Sequence, residues 1–165
     1  MSYAASPKEQ EYLSRCVELA REALEAGDAP FGSVLVNAAG DVLKEDRNRT
    51  VTESNVSLHP EFTLAIWAQK NLSPEERSTA SVYTSGEHCP MCSAVHANAG
   101  LGPIVYATSS QQLVQWKQEL GMKAGAVSAL AINEVAPHLK ASGPVDAFAE
   151  DVHDLHRKFQ SRLSG

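Results

Sequence analysis

Apolar side chains recur three and four residues apart at Leu13, Cys16, Val17, Ala20 and Leu24, the spacing of one buried face of a helix. Ser6-Pro7-Lys8-Glu9 opens the segment as a capping box with proline at the first helical position, and Gly27 ends it. The period then changes. "FGSVLVN" and "DVLKEDRN" are strand-like runs separated by "AAG", which predicts a hairpin; the first is almost wholly apolar, as befits a strand covered on both faces. After a polar loop a helix begins near His59 and ends near "NLSPEE". "ASVYTSG" is a short β-rich strand, "CPMCSAVHANAGLG" a helix ended by glycine, and "PIVYATSS" another strand. "QQLVQWKQELG" places Leu113, Trp116 and Leu120 on one helical side, and "ALAINEVAP" is expected to be the last strand. In the tail, Val145, Phe148, Val152, Leu155 and Phe159 predict an amphipathic helix over about 145–163.

A hairpin followed by alternating strands and helices implies an α/β fold, a mixed sheet with helices on both faces. Such sheets carry their sites where strands hand over to helix N-termini. Two unusual stretches, His59-Pro60-Glu61 and Cys89-Pro90-Met91-Cys92, lie at two such handovers.

Composition narrows the classes. The 165 residues are expected to form one domain, 1–165, with 43% hydrophobic and 21% charged residues and no repeat or low-complexity tract. No apolar run approaches the roughly 20 residues that span a bilayer, and "MSYAASPKEQEY" lacks the basic-then-apolar order of a signal peptide. A cytoplasmic location, away from membranes, is the resulting expectation. Fourteen basic residues are scattered among 20 acidic ones for a net charge of −6, and the densest basic group is the pair Arg157-Lys158. Polyphosphate binding needs clustered cations, so no nucleic-acid partner is expected and a small neutral substrate fits better. Three cysteines do not make a disulfide framework; Cys16 belongs to the first apolar stripe and reads as a small buried hydrophobe.

Proline explains how the two stretches could act together. At the first turn of a helix its missing N–H costs nothing, and it pushes the residue before it out of the α region. His59 and Cys89 should therefore be extended lip residues, with Glu61 and Cys92 in the first turns behind them. Two sulfurs at C-x-x-C spacing can grip a tetrahedral ion, and a helix N-terminus favours their thiolate forms. With a neutral imidazole they roughly balance Zn²⁺ and leave a fourth position for water, which zinc acidifies to about pH 7 in favourable sites. Glu61 could then take the water's proton. Alternatives stay open at this point. A lone C-x-x-C also suits redox chemistry, and His96, four residues after Cys92, could close a structural Cys89, Cys92, His96, His59 site without turnover.

The pairing of H-x-E with C-x-x-C resembles the cytidine deaminase superfamily, whose signature is H-x-E followed by P-C-x-x-C. The likeness runs from the first helix to the last strand, and "CPMC", Glu87 and "PFGSVLV" look most like the guanine deaminase branch. The resemblance implies a three-layer α/β/α sandwich around a five-stranded mixed sheet, a homodimer, zinc held by His59, Cys89 and Cys92, and Glu61 as proton shuttle. It implies hydrolytic deamination of a small amino-substituted heterocycle, a free nucleobase before a nucleoside, nucleotide or tRNA adenosine. Asn48 in "EDRNRT" matches the place of a base-reading asparagine. Two positions depart from the family pattern: His88 stands where a proline precedes the first cysteine, and Pro60 replaces a small residue whose N–H can face the substrate. Asn48, Pro60 and His88 are thus the expected substrate contacts, with specificity shifted from guanine toward cytosine-like, triazine or modified purine rings. His138, His153 and His156 are expected at the surface, Trp116 and Phe148 in the core.

Overall fold

The computed structural model describes residues 2–164. Helix α1, Pro7–Ala26, begins with the expected reciprocal cap: Ser6 accepts from the Glu9 N–H and Glu9 from the Ser6 N–H. Gly27 ends it in the left-handed region, φ 100°, where its N–H reaches the Ala23 and Leu24 carbonyls. The hairpin follows as β1, Gly32–Val36, and β2, Val42–Arg47. Next come α2, Pro60–Asn71; α3, Pro74–Thr79; β3, Ser81–Gly86; α4, Pro90–Asn98; and β4, Ile104–Thr108. The chain finishes with α5, Ser110–Glu119; α6, Ile132–Val135; β5, Ala141–Ser142; a 3₁₀ turn at Asp146–Phe148; and α7, Ala149–Ser164.

The five strands lie in the order β2-β1-β3-β4-β5. β1 is antiparallel to β2 and β3, while β3–β4 and β4–β5 are parallel. Strand alternation divides the core in two. Val34, Val36, Tyr83, Val105 and Ala107 pack against α1, α5 and α7. Leu35 and Val82 point the other way, to Leu64, Ala65 and Ala68 of α2 and to Ala99 and Leu101 beyond α4. Helices therefore cover both faces, as expected. Gly32 lets α1 approach β1 closely: a Cβ there would lie 2.4 Å from Leu19 Cβ and 2.5 Å from the Cys16 carbonyl oxygen. Cys16 is fully buried in that contact. No helix among the described residues is long and apolar enough to cross a membrane.

Three expectations need correction. "ALAINEVAP" is not the last strand. Only Ile132 and Ala136 of 131–136 are buried, a spacing of four, and Glu134 accepts the Ala131 N–H, so the segment turns into α6; the fifth strand is Ala141–Ser142. The stretch after α2 contains a helix of its own, because Ser73 and Glu76 form a second capping box around Pro74. The tail helix starts at Ala149 after the 3₁₀ turn, although Val145 and Phe148 still pack with Val152, Leu155 and Phe159.

Candidate active site

The two proline-led helix starts meet. His59 and Cys89 are both extended, φ −79° ψ 138° and φ −67° ψ 169°, with Pro60 and Pro90 as the next residues. Each lip residue points its donor across the gap, so the His59 ring lies 3.7 Å from Cys89 Sγ and 3.5 Å from Cys92 Sγ, both measured to Nδ1. Metal–sulfur and metal–nitrogen bonds at a tetrahedral angle put such donors about 3.6 Å apart. The one-per-residue donor atoms of His59, Cys89 and Cys92 all lie within 4.8 Å of one another, which makes this a possible zinc site. Local structure prepares the sulfurs: the Cys92 backbone N–H, one of the free amides of the α4 terminus, points at Cys89 Sγ at 3.5 Å.

The three donors are strongly coupled electrostatically. The Cys89 thiol is pulled down to about 4, first by the Cys92 thiol and then, against burial, by His59 and the Cys92 amide. Cys92 is pushed up as its thiol shares a proton with Cys89 and sits buried. His59 is raised, chiefly by its bond to Cys89. His96 does not join the group. It is buried, its Nε2 lies 2.8 Å from the Gly102 carbonyl oxygen, and its ring meets His88 edge-on at 5.2 Å. Among the described residues the cluster thus has three protein donors, and the four-ligand alternative finds no support.

Glu61 is 4% exposed. Burial raises its carboxyl group's pKa, against the opposing pull of the His59 charge. Its Oε1 accepts from Ser33 Oγ at 3.0 Å and Thr84 Oγ1 at 3.1 Å.

Above this cluster opens a cavity of about 650 Å³ whose lining includes His59, Glu61, Cys89 and Pro90. Phe31, Leu113 and Val114 supply apolar wall, and residues 122–129 form much of the rim. Glu87 also lines it, but its carboxylate is held by two backbone amides, Ser110 at 2.8 Å and Ile132 at 3.0 Å, so it ties α5 and α6 to the end of β3. Sequence reading missed that brace, because its partners are backbone groups 23 and 45 residues away.

The three expected substrate contacts are not on the cavity wall. Asn48 is buried beside it: its N–H bonds the Phe31 carbonyl, and its Oδ1 accepts from the Thr50 N–H and hydroxyl. Pro60 is buried as the first residue of α2. His88 is fully buried, with neither ring nitrogen hydrogen-bonded among the described residues. The histidines of the tail split. His153 stacks on Trp116 at 4.5 Å, whereas His156 is 4% exposed and packs edge-on against Phe31 at 5.0 Å. The expected surface position fails for His156, since the same period that buries Leu155 turns its neighbour toward α5. Burial first, then Lys117 and His153, push its pKa down to about 3.

Residues 6–108 match the model of the cytidine and deoxycytidylate deaminase zinc-binding region. The chain is 28% identical over 149 residues to a probable cytosine deaminase of Schizosaccharomyces pombe, covering 90% of this chain and 88% of that protein. It is 38% identical over 82 residues to a guanine deaminase of Bacillus subtilis, covering 49% of this chain and 52% of the relative, about half of each. The solved structure of a guanine deaminase from Nitrosomonas europaea has the same fold, with a TM-score of 0.71 over 96% of this chain and 87% of that one at 17% identity.

Proposed function

Because the chain belongs to the cytidine and deoxycytidylate deaminase zinc-binding family, we propose that it hydrolyses the exocyclic amine of a small heterocycle, a free nucleobase such as guanine, a related purine, a cytosine-like ring or a triazine. The observation that carries this reading is the meeting of one imidazole and two sulfurs beside a buried carboxylate, at the foot of a cavity of about 650 Å³. The relatives named as cytosine and guanine deaminases support a base-sized substrate, and the net charge of −6 argues against an extended polyanion.

His59, Cys89 and Cys92 would hold the metal. Bound zinc would supply an acidified water and a positive charge beside the oxygen that adds to the ring carbon. Glu61 does the proton work. Its carboxylate accepts a proton from the attacking water, returns it to the ring nitrogen, then passes the remaining hydroxyl proton to the leaving amine, so that C–NH₂ and water become C=O and ammonia. Phe31, Leu113 and Val114 offer flat or apolar surface to a planar ring and keep competing water from it. Burial raises the Glu61 pKa, which makes its carboxylate a stronger base toward the water's proton.

The test is an ammonia-release screen of the zinc-reconstituted protein against free bases, nucleosides and triazines. Release from a free base or triazine ahead of its nucleoside is the expected outcome. A protein that binds zinc and stays inert across the panel would reject the proposal in favour of a structural zinc module.

A further inference from the structure

Neither hydrogen-bond partner of Glu61 comes from a helix tip. Ser33 on β1 and Thr84 on β3 are direct cross-strand partners in the antiparallel pairing. Alternation puts both on the face of Leu35 and Val82, opposite Val34 and Tyr83, and so beneath the start of α2. Two hydroxyls therefore stand side by side on the sheet face that α2 covers, and both are completely buried. Ser33 Oγ lies 2.9 Å from Thr84 Oγ1, and the two lie 3.0 and 3.1 Å from the same oxygen, Oε1 of Glu61. Thr84 Oγ1 has one more partner, the Gly86 carbonyl at 3.0 Å.

The geometry points to Ser33 and Thr84 as positioning residues for Glu61: they pin Oε1 from the sheet face beneath α2 and leave Oε2 as the oxygen that exchanges the substrate's proton. This rests on the deaminase reading above. The hydroxyl protons have a choice that suits the task. Ser33 can donate to Glu61 or to Thr84, and Thr84 to Glu61 or to Gly86, so Oε1 holds a donor whenever either hydroxyl faces it, and the network redistributes by rotation of hydroxyls alone. A carboxylate fixed in this way loses less rotamer freedom on reaching the transition state than one free to swing. In a fully buried setting, unpaired hydroxyls would also be costly, which favours the arrangement in which both face the carboxylate.

The test compares wild type with Ser33→Ala, Thr84→Val, the double variant and Thr84→Ser. Thr84→Val keeps the shape and removes the hydroxyl; Thr84→Ser keeps the hydroxyl and removes a methyl group. Ammonia release from the base that wild type turns over should show kcat falling about 10- to 100-fold in Thr84→Val and further in the double variant. KM and zinc content should stay near wild type, and Thr84→Ser should retain most of the rate. A crystal structure of the double variant should show the Glu61 carboxylate rotated from its wild-type position. An unmoved carboxylate, a kcat within about twofold of wild type, or equal losses in Thr84→Ser and Thr84→Val would overturn the assignment. If wild type releases no ammonia from any base, the deaminase reading falls, and the carboxylate's position in the double variant still decides whether these hydroxyls hold it.

Discussion

The starts of α2 and α4 look alike and are held differently. Both place an extended donor before a proline and bury a functional side chain in the first turn. At α4 the arrangement is self-contained: Cys89 and Cys92 are three residues apart, and the amide of one bonds the sulfur of the other. At α2 the lip residue makes no side-chain cap, and Glu61 is fixed from outside, by hydroxyls 28 and 23 residues away on the sheet. A ligand pair can be encoded by a short loop at a helix tip. A proton carrier whose direction matters needs a rigid floor, here the β1–β3 pairing.

The largest expected effect tests whether the two tips form one centre. Alanine at His59 should remove zinc as completely as alanine at Cys92, with ammonia release lost in both; metal analysis of the purified variants checks this. Full zinc retention in His59→Ala would separate the tips.

Next in size is the contact that sets β1 against α1. Gly32→Ala forces a Cβ into Leu19 and the Cys16 carbonyl. Overpacking of this kind costs about 2–3 kcal/mol, a fall in Tm of roughly 5–10 °C for a chain of this size. An unchanged Tm would mean that α1 can shift away and that the floor under Glu61 is less rigid than described.

The loop leading to α2 is tied down by Asp28, whose buried carboxylate accepts from the Val51 and Thr52 amides, the Thr52 hydroxyl and Arg47. Burial pushes its pKa up, but the bonds from Thr52, Val51 and Arg47 outweigh it and hold the group below its usual range. The unfolded state then binds the proton more readily, so this stabilisation is present above about pH 4 and is lost as pH falls through the lowered native value. Asp28→Asn should lower stability by about 1–3 kcal/mol at pH 7. The gap to wild type should shrink on acidification to about pH 3, read by thermal melts at both values. A gap that stays constant with pH would contradict the assignment.

The effect that is smallest at neutral pH concerns the tail. His156, held down to about 3, stays neutral in the folded state over a range where the unfolded side chain is charged. Its contribution is intact above about pH 6.5 and declines as pH drops toward 3, with a slope of up to about 1.4 kcal/mol per pH unit. His156→Leu should flatten the stability profile between about pH 4 and 6 relative to wild type. An unchanged slope would mean that His156 opens to solvent.

The same local-versus-distant distinction explains what could be read from the chain. The capping box at Ser6, the hairpin, and the prolines that set His59 and Cys89 at helix lips are short-range signals, and the structure repeats them. The mixed sheet with helices on both faces also follows from element order, although its fifth strand lies at Ala141–Ser142 and not where the sequence suggested. Ser33 and Thr84 stayed hidden because each is an unremarkable residue until the register places them opposite one another. "ALAINEVAP" misled because the unbroken apolar run at 129–132 has the length and look of a buried strand, whereas burial selects only Ile132 and Ala136. Asn48 matches a family position and Pro60 and His88 depart from the family pattern; all three are buried, and none is among the residues that line the cavity.

Zinc stoichiometry and ammonia release measured on the same samples of wild type and Glu61→Gln, with guanine and cytosine as probes, address the division of labour most directly. Both proteins should carry about one zinc per chain, with release from at least one base by wild type and a rate roughly 10³-fold lower or undetectable in the variant. Near wild-type release by Glu61→Gln would contradict a role for that carboxylate in moving the proton, and wild type without zinc would contradict the metal centre itself.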